Sequence, residues 1–149
     1  MIKKVFVAAT RQNDGKTMLS LGLYSVIRGR FKRISYMKPV GQHYHVIDGN
    51  KIDKDALLIH EVFNPGDALS DMSPIAIPKG FTASYIGHPH KKQLQSVLES
   101  AYKNLSKDKE FLLFEGTGHA GVGSTFDWSN ASVAKLMGSK VILVTQGGI

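Results

Sequence analysis

A strand, a loop and a helix follow one another at the start of the chain, and this succession limits the fold more than any other feature. Residues 3–9 (KKVFVAA) contain a continuous apolar run, which is typical of a strand buried on both faces of a sheet. Gly15-Lys16-Thr17 comes next, and apolar residues then recur at helical spacing from Met18 to Ile27. A buried strand that leads into a helix in this way predicts a parallel sheet with crossover connections.

The rest of the chain continues the alternation of strands and helices. Residues 64–90 are the exception, because they are rich in proline and glycine and predict an irregular excursion with little regular structure. The prediction is therefore an α/β fold, a parallel sheet with helices on both faces. The further predicted strands are 33–40, 109–116 and 139–148, and the further predicted helices are 54–63, 90–108 and 129–138.

The last predicted strand is apolar enough to be buried, and the sequence printed here ends just after it. A crossover helix would normally follow, and a parallel edge at this point would be exposed unless something covers it. We therefore expect residues 1–149 to be one domain that forms the N-terminal part of a longer protein, truncated after the fourth main strand.

Composition excludes several classes of protein. The chain has no cysteine, which excludes disulfides, thiolate metal sites and cysteine nucleophiles. It has no apolar run of the roughly eighteen residues that span a bilayer, so we expect no membrane association and a cytoplasmic location. The net charge is +7, but the lysines are spread along the chain, which favours attraction of phosphorylated ligands over nucleic-acid binding.

Three loops that follow the predicted strands carry the residues suited to chemistry. In the first, Gly15 permits close backbone approach, Lys16 can reach terminal phosphates and the Thr17 hydroxyl can bind Mg²⁺. The common pattern G-x-x-x-x-G-K-[ST] would place a glycine at position 10, where this chain has Thr10. The alternative is a plain strand-to-helix turn that contains these three residues by chance.

The other two loops add a lysine and two carboxylates. Lys38 ends the second strand and would point into the cleft beside Lys16, although a surface lysine before a turn proline is the alternative. Asp55 starts a helix and could simply cap it. Glu115 ends a buried strand, where a carboxylate must be paired or bound to a metal, so it is either a Mg²⁺ ligand or the partner of a cleft lysine.

The glycine-rich segment after Glu115 and the histidines complete the candidates. Gly118 lies where the backbone can approach a ligand closely, and His119 is the histidine placed to meet one. His43 and His45 form an H-x-H pair for which the sequence offers no third metal ligand, so we expect them to be solvated or to contact substrate.

Four segments in this order, ATRQNDGKT, YMKPVG, DALL and FEGTG, resemble dethiobiotin synthetase and its relatives. Those relatives include the ATP-binding domain of cobyrinic acid a,c-diamide synthase and the nucleotide-binding-like N-terminal domain of some phosphotransacetylases. The family loop is G-T-x-x-x-x-G-K-T, one residue longer than the common pattern. Thr10 then matches the family threonine, and Ala9 stands in place of the first glycine.

The resemblance implies a P-loop NTPase fold that binds ATP and Mg²⁺. It implies that Lys16 and Lys38 are catalytic, Lys38 by holding the carboxylate or carbamate that is activated, and that Thr17, Asp55 and Glu115 bind the metal. Gln42, Gly118 and His119 are the candidate substrate contacts. The residues expected to bind the nucleotide are Thr10, Asn13, Asp14, Gly15, Lys16, Thr17 and Met18.

The segment KPVGQ departs from the synthetase pattern, because Gln42 stands where dethiobiotin synthetase has a serine, and it looks more like the phosphotransacetylase-type domain. Two functions are therefore expected. One is an ATP-dependent ligase that activates a small carboxylate substrate, and the other is a regulatory nucleotide-binding module. A partner-switching ATPase of the chromosome-partitioning kind is disfavoured, because Arg11 stands where those proteins have a second lysine. A homodimer is compatible with each function.

Overall fold

A computed structural model describes residues 2–78, 80–81, 85, 91–119, 122–124 and 128–147. Its elements, in chain order, are β1 (Lys3–Ala9), α1 (Lys16–Arg28), β2 (Ile34–Met37), β3 (Val40–Gly41), β4 (Tyr44–Ile47), β5 (Asn50–Asp53), α2 (Lys54–Phe63), α3 (Leu69–Met72), β6 (Ile75–Ala76), α4 (Lys91–Ser106), β7 (Phe111–Glu115), α5 (Asn130–Leu136) and β8 (Lys140–Val144).

The central sheet has the strand order β2-β7-β1-β8, and every pair in it is parallel. The predicted parallel sheet is therefore confirmed. Val7 of β1 lies in register with Glu115 of β7, and Met37 of β2 with Phe114. The carboxyl ends of these three strands thus lie side by side, and the loops that leave them share one edge of the sheet.

Helices cover both faces of this sheet, as predicted. The ring centroids of Phe111 and Phe31, which follows α1, are 5.4 Å apart. The ring centroids of Phe114 and Tyr102 of α4 are 6.3 Å apart. Because residues an odd number of positions apart on a strand point to opposite faces, α1 and α4 pack on opposite sides of β7. The apolar core is therefore in two layers, with the buried strands between them.

Two features of the connection between β2 and α4 were not predicted. A hairpin of β4 and β5 turns at Asp48-Gly49, where both residues have positive φ. The prediction of little regular structure over residues 64–90 is wrong for its described part, because α3 lies there and β6 pairs in parallel with β3. Residues 79, 82–84 and 86–90 of this segment lie outside the described residues.

Exposure corrects the predicted apolar face of α1 and agrees with the expected open edge at β8. Met18 and Val26 of α1 are exposed instead of packed on the sheet. β8 pairs with β1 at an edge of the described sheet, and Val141, Ile142 and Leu143 are exposed there, as expected for a parallel edge that the described residues leave uncovered. Among the described residues, no helix is long and apolar enough to cross a membrane.

Candidate functional site

The loops that follow β1, β2 and β7 enclose an open cleft of about 270 Å³ at the carboxyl edge of the sheet. The edge beyond the carboxyl ends of parallel strands is where ligands bind in such sheets. The convergence expected from the sequence is therefore present. The cleft is lined by Gln12, Asn13, Gly15, Lys16, Thr17, Met18, Lys38, Gln42, His43, Asp53, Lys54, Asp55, Glu115, Thr117 and Gly118.

The loop between β1 and α1 presents the amino end of the helix to this cleft. Asn13 and Gly15 both have positive φ, 67° and 91°, and together they turn the backbone sharply into α1. Gly15 is the N-cap, no side chain caps the helix, and its first turn carries no acidic residue. Among the described residues, the first N–H groups of α1 thus have no intrahelical or side-chain partner, and they suit an anion.

Glu115 is a fully buried carboxylate with three hydrogen-bond donors. Its Oε1 accepts from the Thr17 hydroxyl at 3.0 Å and from the Lys38 ammonium at 2.9 Å, and its Oε2 accepts from the Tyr36 hydroxyl at 3.0 Å. Burial, followed by the charge of Glu115, raises the pKa of Tyr36 well above its ordinary value, so this phenol remains a donor. The ion pair that the sequence left as an alternative for Glu115 is therefore present.

Lys38 joins this carboxylate to the second one. Its ammonium also lies 2.7 Å from Asp55 Oδ2, and its side chain is only 4% exposed. Burial alone would lower the pKa of Lys38, but Glu115 and Asp55 outweigh burial and raise it. For Asp55, burial acts to raise the pKa and Lys38 outweighs that effect, so the pKa is lowered. Lys38 and Asp55 are therefore both charged at neutral pH.

Lys16 lines the same cleft and is bonded differently. Its ammonium donates to the carbonyl oxygen of Gly118 at 2.6 Å. Burial, followed by repulsion from the positive charge of Lys38, lowers its pKa. Two buried ammonium groups therefore act on the same cleft, and an anion between them would relieve their mutual repulsion.

Gly118 lies in the loop after β7, where tight packing leaves no room for a side chain. Its φ is +47°, and a Cβ here would meet Val122 Cγ2 at 2.6 Å and Gln42 Oε1 at 3.1 Å. The start of the loop is held by the buried amide of Asn130, which accepts from the Thr117 N–H and donates to the Thr117 carbonyl, both at 3.0 Å. Residues 120–121 of the predicted glycine-rich segment lie outside the described residues.

Asp53 takes the capping role that the sequence had left open for Asp55. It is the N-cap of α2, and its Oδ1 accepts from the Asp55 N–H at 2.9 Å. Burial raises the pKa of the Asp53 carboxyl. A Cβ at Gly41 would lie 2.5 Å from Asp53 Oδ2, so only glycine fits there. Asp55 is thus free of the cap and turns its carboxylate to Lys38.

Most of the residues singled out from the sequence line the cleft. These are Asn13, Gly15, Lys16, Thr17, Met18, Lys38, Gln42, Asp55, Glu115 and Gly118. Thr10, Asp14 and His119 do not: Thr10 and Asp14 bond to each other at 3.1 Å within the loop, and the His119 carbonyl accepts from Asn130.

Several contributors were missed from the sequence. Tyr36 could have been found from the strand pattern, because it stands two positions before Lys38. Asp53 could have been found from its place directly before the helical run. The remaining missed lining residues are Gln12, Lys54 and Thr117, and His43, which was expected to be solvated or to contact substrate, also lines the cleft.

The oxygen atoms around Lys38 are of the kind that Mg²⁺ prefers. Two carboxylates and a threonine hydroxyl are present, and Mg²⁺ is usually held by one or two carboxylates together with phosphates and water. Within the described part of the chain, no group of three or more histidine or carboxylate side chains is arranged to hold a metal by itself. The donor set fits a phosphate-linked Mg²⁺ better than a protein-enclosed transition metal.

Comparison with known sequences agrees with this geometry. The sequence model of a family described as an AAA domain, AAA_26, matches residues 3–149. A phosphate acetyltransferase from Synechocystis is 24% identical over 148 residues, which cover 97% of this chain and 20% of that protein. A second phosphate acetyltransferase, from Nitratidesulfovibrio vulgaris, is 24% identical and is likewise covered over 20% of its length.

An ATP-dependent dethiobiotin synthetase from Methanococcus vannielii is also similar. It is 22% identical over 143 residues, which cover 95% of this chain and 64% of the synthetase. The chain therefore spans a fifth of the length of the acetyltransferases and less than two thirds of this synthetase.

Proposed function

The chain belongs to the AAA domain family AAA_26, and from that premise we propose that its cleft binds MgATP and activates a carboxylate-type substrate, as part of an ATP-dependent ligase. The relatives include ATP-dependent dethiobiotin synthetases, which are enzymes of this kind by name. The substrate proposed for this chain is a small carboxylate or carbamate.

One observation carries the proposal. Glu115 Oε1 is bonded at once to the Thr17 hydroxyl, at the phosphate loop, and to the Lys38 ammonium, which reaches Asp55. This network joins the loop that would hold phosphates to the lysine that would hold the acceptor. Phosphoryl transfer requires little from a protein beyond such positioning and charge neutralisation.

The reaction proposed for this cleft has two steps. A carboxylate oxygen of the substrate attacks the terminal phosphorus of ATP, and the bond between that phosphorus and the bridging oxygen breaks. The products of this step are ADP and an acyl phosphate. An amine then attacks the acyl carbon, releasing phosphate and a proton and forming an amide. Lys16 and the amino end of α1 would neutralise the phosphates, and Lys38 would hold the acceptor carboxylate. Thr17, Asp55 and Glu115 would hold Mg²⁺, which would supply positive charge to neutralise the phosphates.

The first experiment measures binding. Isothermal titration with MgATP should detect binding to the wild-type chain, and Lys16→Ala should weaken it by about tenfold or more, because it removes a charge-assisted contact to phosphate. The matched control is Lys103→Ala, which removes a lysine from the exposed last turn of α4 and should leave the affinity unchanged. Equal affinities for all three proteins would contradict a phosphate site at this loop.

The second experiment separates catalysis from binding. ATP turnover is measured against a panel of carboxylates with and without amines. For any carboxylate that stimulates turnover, ¹⁸O placed in its carboxyl group should appear in the released phosphate, because the proposed acyl phosphate transfers that oxygen. Turnover without ¹⁸O transfer would exclude the carboxylate mechanism.

The alternative is a regulatory nucleotide-binding module. It is favoured by the similarity to the phosphate acetyltransferases, in which this chain matches only a fifth of the length, and by the segment KPVGQ. Under this alternative the cleft binds MgATP with the same sensitivity to Lys16→Ala but shows no turnover with any carboxylate or amine. The turnover panel therefore distinguishes the two functions.

A further inference from the structure

Asp14 makes contacts that close the phosphate loop on itself. Its Oδ2 accepts from the Arg11 N–H at 2.9 Å and from the Thr10 hydroxyl at 3.1 Å. The Thr10 N–H donates to the Val144 carbonyl at 3.0 Å, and the Thr10 hydroxyl lies 3.2 Å from that of Thr145. The carboxylate thus ties the helix end of the loop to its strand end, which is itself attached to the end of β8.

This closure explains how the loop tolerates alanine at its first position. Ala9 is fully buried as the last residue of β1 and lies in register with Val144, so its methyl group has a place in the sheet. The turn of the loop begins after it, where the Asp14 carboxylate holds Thr10 and Arg11. A glycine at position 9 is therefore not needed for the chain to change direction.

The other oxygen of the same carboxylate is not satisfied. Asp14 Oδ1 is buried and has no hydrogen-bond partner among the residues that the structure describes. A buried acceptor without a partner is unfavourable, and more so when it is charged. A neutral side chain of the same shape would accept both bonds without this charge, so hydrogen bonding alone does not account for an aspartate here.

The charge of Asp14 also acts on the cleft. Burial and Lys38 lower the pKa of Lys16, and Asp14 is one of the carboxylates that act in the opposite direction. A carboxylate whose field reaches Lys16 repels an anion bound at the same lysine. The two accepted bonds and the negative charge therefore have opposite effects on an anion in the loop.

We propose that Asp14 is a positioning residue with two separable effects: its accepted bonds hold the loop in the shape that binds phosphate, and its charge limits the affinity for polyphosphate. The inference rests on the proposed function, since it concerns the same phosphate site. It assigns to this site a built-in limit on affinity, which favours release of the nucleotide after use.

The test compares two substitutions of the same residue. Asp14→Asn keeps an acceptor for Arg11 and Thr10 and removes the charge, whereas Asp14→Ala removes both. Affinities for MgATP and for inorganic tripolyphosphate are measured by titration at one fixed ionic strength. Asp108→Asn is the matched control, because it removes one negative charge in the turn after α4, at the opposite edge of the sheet, and should change neither affinity by more than about twofold.

Asp14→Asn should bind both probes about threefold or more tightly than the wild type, and Asp14→Ala should bind them about tenfold more weakly than Asp14→Asn. Equal weakening by both substitutions would overturn the charge effect. Equal tightening by both would overturn the positioning effect.

Amide hydrogen exchange without nucleotide gives an independent measurement. The Arg11 N–H should be protected in the wild type and in Asp14→Asn and should exchange faster in Asp14→Ala. If the wild type bound neither probe, the proposed function would fail and the charge effect with it, but the exchange of Arg11 would still decide the positioning effect. Unchanged exchange in Asp14→Ala would overturn that effect.

Discussion

Replacing Lys38 by methionine should strongly destabilise this protein. Methionine preserves the length and apolar stem of the side chain and removes the ammonium that lies 2.7 Å from Asp55 Oδ2 and 2.9 Å from Glu115 Oε1. The two carboxylates would then face each other without a cation, and Glu115 is fully buried. The variant therefore tests whether the charged network of the cleft also holds the fold together.

The magnitude follows from the burial of the three groups. Removing one partner of a buried ion pair costs about 3–5 kcal/mol, because the remaining charge stays buried without compensation. The side chains of Lys38, Asp55 and Glu115 are 4%, 16% and 0% exposed, so solvent screens them little. We expect about 3–5 kcal/mol for Lys38→Met, which is a large part of the roughly 5–15 kcal/mol that stabilises a typical domain.

Urea unfolding at pH 7 provides the assay. Trp128 is the single tryptophan of the chain and is 4% exposed, so its fluorescence reports unfolding. With a slope of about 2 kcal/mol per molar urea, the expected loss lowers the midpoint by about 2 M. The pKa of Lys38 is raised above 10.5, so its stabilising effect is complete below pH 10.5 and is lost as the pH rises through the raised value. At pH 7 the assay therefore measures the whole effect.

Two further variants determine how the result is interpreted. Lys103→Met, on the exposed surface of α4, should change the stability by less than about 0.5 kcal/mol. Lys38→Met combined with Glu115→Gln should recover about 2 kcal/mol of the loss, since the second change removes the uncompensated charge. A Lys38→Met protein within 0.5 kcal/mol of the wild type would refute the reasoning, because the ion pairs would then contribute nothing to stability.

Three other substitutions test the surroundings of the network, and a fourth, Gly22→Ala, serves as a comparison. Tyr36→Phe removes a buried hydrogen bond to the glutamate and should lower the stability by about 1–2 kcal/mol in thermal unfolding, with no change in secondary structure by circular dichroism. Gly41→Ala should destabilise, because its Cβ would lie 2.5 Å from the Asp53 carboxylate, whereas Gly22→Ala, with open space in α1, should stabilise by about 0.5–1 kcal/mol. The pKa of Asp55 is lowered below 3.8, so its stabilising effect is present above pH 3.8 and is lost as the pH falls through the lowered value. Asp55→Asn should therefore flatten the acid limb of a plot of stability against pH, and an unchanged limb would contradict the assignment.

The parallel sheet could be predicted because its strands are apolar at nearly every position. Phe111–Phe114 is uninterrupted, as is the run before Thr10, and this pattern is typical of a strand with both faces covered. Val141–Leu143 of β8 are equally apolar, and they are exposed because β8 lies at the uncovered edge of the described sheet. An apolar run thus indicates that a strand belongs to a sheet, whereas the exposure of its side chains depends on which elements cover it.

The hairpin could have been predicted. Asp48-Gly49 is a strong two-residue turn signal, and both residues adopt the positive φ that such a turn requires. It lies between short segments of mixed polarity, whose exposed residues give little indication of a sheet. The pairing of β3 with β6 is different in kind, because it joins two residues on each side across a long separation in sequence. A pairing of only two residues per strand is too short to produce a periodic pattern in the sequence.

Which of Asp53 and Asp55 caps α2 and which contacts Lys38 depends on three-dimensional packing that the sequence does not reveal. Both are aspartates at the start of α2, and either could have been its cap. The close approach of Gly41 to Asp53, at a distance that no side chain would permit, holds Asp53 against the backbone, and Ser73 Oγ accepts from its N–H at 2.8 Å. Asp55 then lies two residues further along, in the first turn of the helix, with its carboxylate against Lys38. Asp55 is thus the candidate metal ligand because Asp53 caps the helix. The position of Asp53 depends in turn on Gly41 and Ser73, which come from two other segments of the chain.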